Sequence, residues 1–203
     1  MAVQNDFSKG SILSHMARIA LPMTLAQFVN ILYSVVDRMY VGHIAGAGDA
    51  ALAGVGVCAP VVTMITAIGA LIGFGGGPLM SIRMGAGKRL DAHRILNNCF
   101  LMLCVCAVVI TAVIFPLRRV MLMAFGASDV TLPYAEQYFT VYLCGTVFNL
   151  LSLGMNQFII CQGFARKGML SVVLGAVLNL VLDPIFIFAL HMDVLGAALA
   201  TEL

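Results

Sequence analysis

The stretch Leu178-Asn179-Leu180-Val181-Leu182-Asp183-Pro184-Ile185-Phe186-Ile187-Phe188 decides the fold. It sits in an apolar run from about Met169 to Leu190. That run is long enough to cross a bilayer as a helix, which takes about 20 apolar residues. A carboxylate at the centre of such a helix costs on the order of 3 kcal/mol on insertion scales, so Asp183 is expected to face a protein interior or a wet cavity rather than lipid. Asn179 lies one turn earlier and shares that face. Pro184 has no N–H for the Leu180 carbonyl and tends to kink the helix there. Carboxylate, amide and freed carbonyl together offer oxygen ligands for a small cation or a proton. The alternative is a structural kink, with Asp183 paired to a basic residue on another helix.

Composition extends this reading to the whole chain. Of 203 residues, 62% are hydrophobic and 10% charged, whereas soluble domains run near a quarter charged. The class is all-α integral membrane, a polytopic helical bundle. Six cysteines lie in apolar runs without a CxxC pair and read as small buried hydrophobes. The four histidines form no cluster with Cys or acid. No cofactor and no nucleic-acid partner is expected; the lipid bilayer is the immediate partner. The first dozen residues are polar and show no cleavable signal pattern, so the first spanning helix is expected to act as an uncleaved insertion signal.

Outward from Asp183, the first predicted span runs from about Pro22 to Tyr40, after an amphipathic segment Ser11 to Leu21 expected to lie along the membrane surface. Its residues Gln27, Asn30, Ser34 and Asp37 are spaced by three and four and form one polar face, with Tyr33 near the same side. Arg38 follows and is expected to snorkel toward an interface. Gly42, Gly46, Gly48 and Asp49 suggest a turn, with Asp49 as the N-cap of the next helix. The string Gly46-Ala47-Gly48-Asp49 matches the GxGD of intramembrane aspartyl proteases, but those hold the Asp inside a helix. Gly46-x-Gly48-x-x-Ala51 resembles a dinucleotide fingerprint but follows no strand.

A second span is predicted from about Ala50 to Met80, with Gly69, Gly73 and Gly77 in the small-xxx-small pattern of close helix contact. Gly75-Gly76-Gly77-Pro78 is expected to loosen its end. A basic loop follows, then a featureless span from Ile95 to Phe115 ended by Pro116. A connection with Arg118, Arg119, Gly126, Asp129 and Pro133 leads to a fourth span, Tyr134 to Cys161, with a second polar stripe, Asn149, Ser152 and Asn156. Beyond the fifth span, Ala197 to Thr201 reads as the start of a sixth helix. The count is about five complete transmembrane helices plus that start.

Lys9 and Arg18, then Arg83, Lys88, Arg89 and Arg94, then Arg166 and Lys167 all fall on one side, against Arg118 and Arg119 on the other. The positive-inside rule puts the N-terminus in the cytoplasm of a cell membrane, of bacterial inner-membrane type. Polar stripes on three helices and two deep carboxylates imply a wet cavity in the bundle. Asp37 and Asp183 fall at similar depth and can share one site.

Three stretches then carry a family resemblance. They are Val36-Asp37-Arg38-Met39-Tyr40-Val41-Gly42-His43 with Ala51-Leu52-Ala53-Gly54-Val55-Gly56 after it; Ser81-Ile82-Arg83-Met84-Gly85-Ala86-Gly87-Lys88; and Gly175 to Pro184, followed by Gly196-Ala197-Ala198-Leu199-Ala200-Thr201. In this order and spacing the chain resembles the multidrug and toxic compound extrusion (MATE) family of secondary transporters. The resemblance implies twelve helices in two six-helix lobes and export of organic cations or other drugs, driven by inward flow of Na⁺ or H⁺. It implies no enzyme activity. It also implies a cation site of Asp37, Asn179, Asp183 and Thr201, the last resting on the resemblance alone. Drug contacts are expected from Gln27, Asn30, Tyr33, Asn149 and Asn156. Residues 1–203 would then be the N-terminal lobe, ending within helix six, with the C-terminal lobe as its partner. Alternatives are a flippase for lipid-linked precursors, which needs a cationic cavity for a pyrophosphate, and an ion channel, which needs a continuous pore.

Overall fold

The computed structural model describes residues 12–44, 48–190 and 192–202. Six helices follow one another: α1 (Ile12–Gly42), α2 (Gly48–Gly85), α3 (Arg89–Ala124), α4 (Leu132–Cys161), α5 (Ala165–Pro184), which continues as a π-helical turn (Ile185–Ala189), and α6 (Asp193–Glu202). Five are long and apolar enough to cross a membrane. The chain is a multi-pass membrane protein.

The helices overrun the expected boundaries, always outward. α1 begins ten residues before Pro22 and passes through it, so the described part of the Ser11–Leu21 segment is continuous with the span. α2 runs through Gly75-Gly76-Gly77-Pro78 to Gly85, and α3 runs through Pro116 to Ala124. At 38 residues α2 is about 57 Å long, nearly twice the hydrocarbon thickness. Hydropathy marks only what lies in lipid, whereas the hydrogen-bonded backbone continues into water. A proline removes one helical bond and leaves its neighbours to carry the helix. Asp49 sits inside the first turn of α2, where it complements the helix dipole, rather than at the cap. The turn around Gly46, the GxGD string, His191 and the first eleven residues fall wholly or partly outside the described residues.

Small residues set the packing. α2 lies along α4, and glycines remove the side chains that would hold the two apart. A Cβ on Gly73 would meet the Gly154 carbonyl oxygen at 3.0 Å, and one on Gly77 would meet Cys161 Sγ at 2.9 Å. On the α4 side, a Cβ on Gly154 would lie 2.6 Å from Leu103 of α3. Leu103, Leu143, Leu150, Phe139 and Ile65 form the dry centre of this half. Ser81 Oγ donates to the Cys161 carbonyl at 2.7 Å, which ties the ends of α2 and α4 together. The basic α2–α3 and α4–α5 connections therefore lie at one end of the bundle.

α1 packs mainly on α5, and α6 on α4 and the π turn. The turn is closed by the Leu190 N–H donating to the Ile185 carbonyl at 2.9 Å. Its bonds reach one residue further than α-helical ones, the widening that accompanies a lost partner in the ladder. The kink expected at Pro184 thus takes the form of a π turn. α6 presses on it at Gly196, where a Cβ would meet the Phe186 carbonyl carbon at 2.8 Å. Asp193 opens α6 with φ of 49°, a left-handed conformation that Asp tolerates better than most residues.

Candidate functional site

Two polar regions adjoin in the α1–α5–α6 half. The first is a carboxylate pair. Asp37 on α1 and Asp183 on α5 face one another at hydrogen-bonding range. Two carboxylates at that range need a proton or cation between them, because two bare negative charges in a low-dielectric site repel strongly. Asp183 is 0% exposed and Asn179 5%. Asn179 Nδ2 donates to Asp183 Oδ1 at 3.5 Å, a long bond from the preceding turn. Three oxygens remain without partners: Asp37 Oδ1, Asn179 Oδ1 and Asp183 Oδ2. Buried polar atoms are nearly always satisfied, so these three open oxygens set this spot apart from the rest of the bundle. No basic residue pairs with Asp183, which removes the salt-bridged alternative among the described residues.

The donor set is all oxygen. That chemistry suits H⁺ or a hard cation such as Na⁺ and does not suit a soft transition metal. No group of three or more His, Cys, Asp or Glu converges among the described residues. Thr201 Oγ1 donates to the Ala197 carbonyl at 2.9 Å, so its lone pairs remain free to accept.

The second region is a cavity of about 690 Å³ bounded by α1, α2, α4, α5 and α6. Gln27, Asn30, Tyr33, Asn149 and Asn156 all line it, joined by Ser152, Asn179 and Thr201. Gln27 and Asn30 of the first stripe therefore face the second stripe across one space, whereas Ser34 and Asp37 do not line it. Thr63 and Thr66 also line it, but their hydroxyls donate to the Ala59 and Val62 carbonyls of their own helix. Asp37 and Asp183 lie off the wall, whereas their neighbours Asn179 and Tyr33 are on it. Among the described residues the wall carries no Lys or Arg.

The sequence reading passed over Glu202. It lines the cavity, and both its carboxylate oxygens are buried without a partner. The insertion-cost argument applied to Asp183 would have found it, since Glu202 follows the apolar run Val194–Ala200. Tyr142, whose buried hydroxyl also lacks a partner, carried no signal within its own apolar helix.

Comparison with known proteins agrees with this architecture. The MatE family model matches residues 22–185. A curated relative, the multidrug export protein MepA of Staphylococcus haemolyticus, is 27% identical over 197 residues, covering 97% of this chain and 43% of its own length. The outward-facing structure of a multidrug resistance MATE family transporter of the MOP superfamily superposes with a TM-score of 0.88 at 30% identity, covering 95% of this chain and 42% of that one. A MOP superfamily transporter from Pyrococcus furiosus, described as having a binding pocket of reverse polarity that suggests a different function, matches with the same TM-score, identity and coverage. The chain thus spans less than half the length of the relatives it matches.

Proposed function

The chain belongs to the MatE family, whose members are transporters and not enzymes, and from that premise we propose that it forms the N-terminal lobe of a secondary multidrug efflux transporter. The transporter exports organic cations in antiport with Na⁺ or H⁺. Residues 1–203 supply one bundle, and the C-terminal lobe supplies the other half needed for alternating access. The protein sits in a bacterial cell membrane with its N-terminus in the cytoplasm, as the basic end of the bundle suggests.

The observation that carries this reading is the pairing of unpartnered acidic oxygens at Asp37 and Asp183 with an amide-lined cavity beside them. A proton shared by the two carboxyls, or Na⁺ held by Asp37, Asn179, Asp183 and Thr201, removes the repulsion between them. Occupancy then favours one arrangement of α1 against α5. Pro184 and the π turn supply a joint where that arrangement can change, because the helical ladder is already interrupted there. Drug in the cavity favours the other arrangement. The coupling is no larger than the difference in affinity of each ligand for the two arrangements.

A flippase for lipid-linked pyrophosphates fits the helical plan, but the cavity wall offers no cation for a pyrophosphate. The test reconstitutes the complete two-lobe protein in proteoliposomes and follows a fluorescent organic cation under an imposed Na⁺ gradient, then a proton gradient. Gradient-driven dye movement, abolished in Asp183→Asn, supports antiport and names the ion. Dye movement without a gradient, or an unaffected variant, overturns it.

A further inference from the structure

The cavity wall holds one charged side chain among its described residues, and it is Glu202. Its setting differs from that of the carboxylate pair. Asp37 and Asp183 have each other and Asn179, off the wall. Among the described residues Glu202 has no basic partner, and neither of its oxygens is bonded. It is seated in a notch on α4: a Cβ on Gly145 would overlap the Glu202 carboxylate, so only glycine leaves room for it there. Tyr33 and Tyr142 lie within electrostatic reach of Glu202, and the Tyr142 hydroxyl is buried and unbonded. A lone carboxylate on a cavity wall that also carries Tyr33 and Phe148, without a counter-ion among the described residues, is complementary to an organic monocation with an aromatic body.

We propose that Glu202, seated in the Gly145 notch on a wall shared with Tyr33, is the counter-charge that selects cationic cargo, a role separate from that of the Asp37–Asp183 pair. This rests on the transport reading for its physiological meaning but makes its own claim about binding. Charge attraction and the Tyr33 ring hold the cation; the surrounding amides accommodate different bodies, which makes the site selective for charge and permissive for shape.

The test measures equilibrium binding of radiolabelled tetraphenylphosphonium to the purified complete transporter, with uptake in proteoliposomes alongside. Glu202→Gln is expected to weaken Kd and raise KM by about tenfold or more, as loss of one partner of a buried charge pair does. Uptake at saturating cation is expected to keep its dependence on the imposed gradient. Glu202→Asp is expected to retain most of the affinity, which guards against misfolding as the cause. Gly145→Ala keeps the charge but fills the notch, and is expected to weaken binding as well. An unchanged Kd in Glu202→Gln overturns the proposal. So does an unchanged Kd with lost gradient dependence, which would assign Glu202 to ion coupling. Failure of the wild type to bind the cation overturns it too. Binding that depends on Glu202 without gradient-driven uptake sinks the transport reading and leaves the assignment standing.

Discussion

The α2–α4 seam and the α1–α5 interface are built on opposite principles. In the seam, Gly69, Gly73 and Gly77 bring two helices so close that a single methyl group would collide with backbone or side chain. Nothing there is charged. Between α1 and α5, by contrast, the buried Asp183 and Asn179 and the half-buried Asp37 each keep an oxygen unpaired, and α5 gives up α-helical geometry two residues beyond Asp183. Close packing has one good arrangement, because dispersion falls away steeply with separation. An under-satisfied polar interface is less fixed, since its energy depends on the protonation of its carboxylates and on what meets the open oxygens. The first is suited to be a frame and the second to be a switch.

Four variants can break that contrast or sharpen it. The largest effect is expected from Asp183→Asn, which should reduce gradient-driven accumulation by about 5- to 150-fold, the span of a typical coupling energy, while leaving the melting temperature of the purified protein nearly unchanged. A collapsed melting temperature would make Asp183 part of the frame. Gly73→Leu should do the reverse. Overpacking at Gly154 and Gln157 should cost about 1–3 kcal/mol, seen as a lower melting temperature, with the coupling ion unchanged. If it altered ion coupling instead, the seam would not be passive.

Pro184→Ala restores an N–H where the ladder is broken. It should stabilise the joint by about 1 kcal/mol and slow amide exchange across Ile185–Ala189 by about fivefold. Unchanged exchange would mean that α6 packing at Gly196, rather than Pro184, holds the π turn open. The smallest effect is expected from Asn156→Ala. One cavity amide is worth about 0.6 kcal/mol, so KM for a given dye should rise roughly threefold at most. A loss like that of Asp183→Asn would move Asn156 into the switch.

Much of this was legible locally. Asp183, Asn179 and Pro184 announce themselves because the cost of burying charge in lipid depends on the residue and its depth. The stripes Gln27–Asn30–Asp37 and Asn149–Asn156 follow from helical periodicity, and the structure turns Gln27, Asn30, Asn149 and Asn156 onto one cavity while Asp37 stays off its wall. The glycine repeat of α2 points to a close neighbour without saying which one. Helix ends were not legible at Pro22, Pro116 or the Gly75–Pro78 run, where composition suggested breaks and the backbone ladder continued. Glu202 was legible in principle and was missed because its helix begins only at Asp193.

The sequence by itself determined that this is a multi-span helical membrane protein, and which faces of α1, α4 and α5 are polar, because both follow from transfer energies and a period of 3.6 residues. Only the tertiary structure decided that Asp37 meets Asp183, that α4 is the partner in the glycine seam, and that Gly145 makes room for Glu202. These are meetings between residues far apart in the chain. Their energies depend on which helices pack together, and that is a property of the whole bundle.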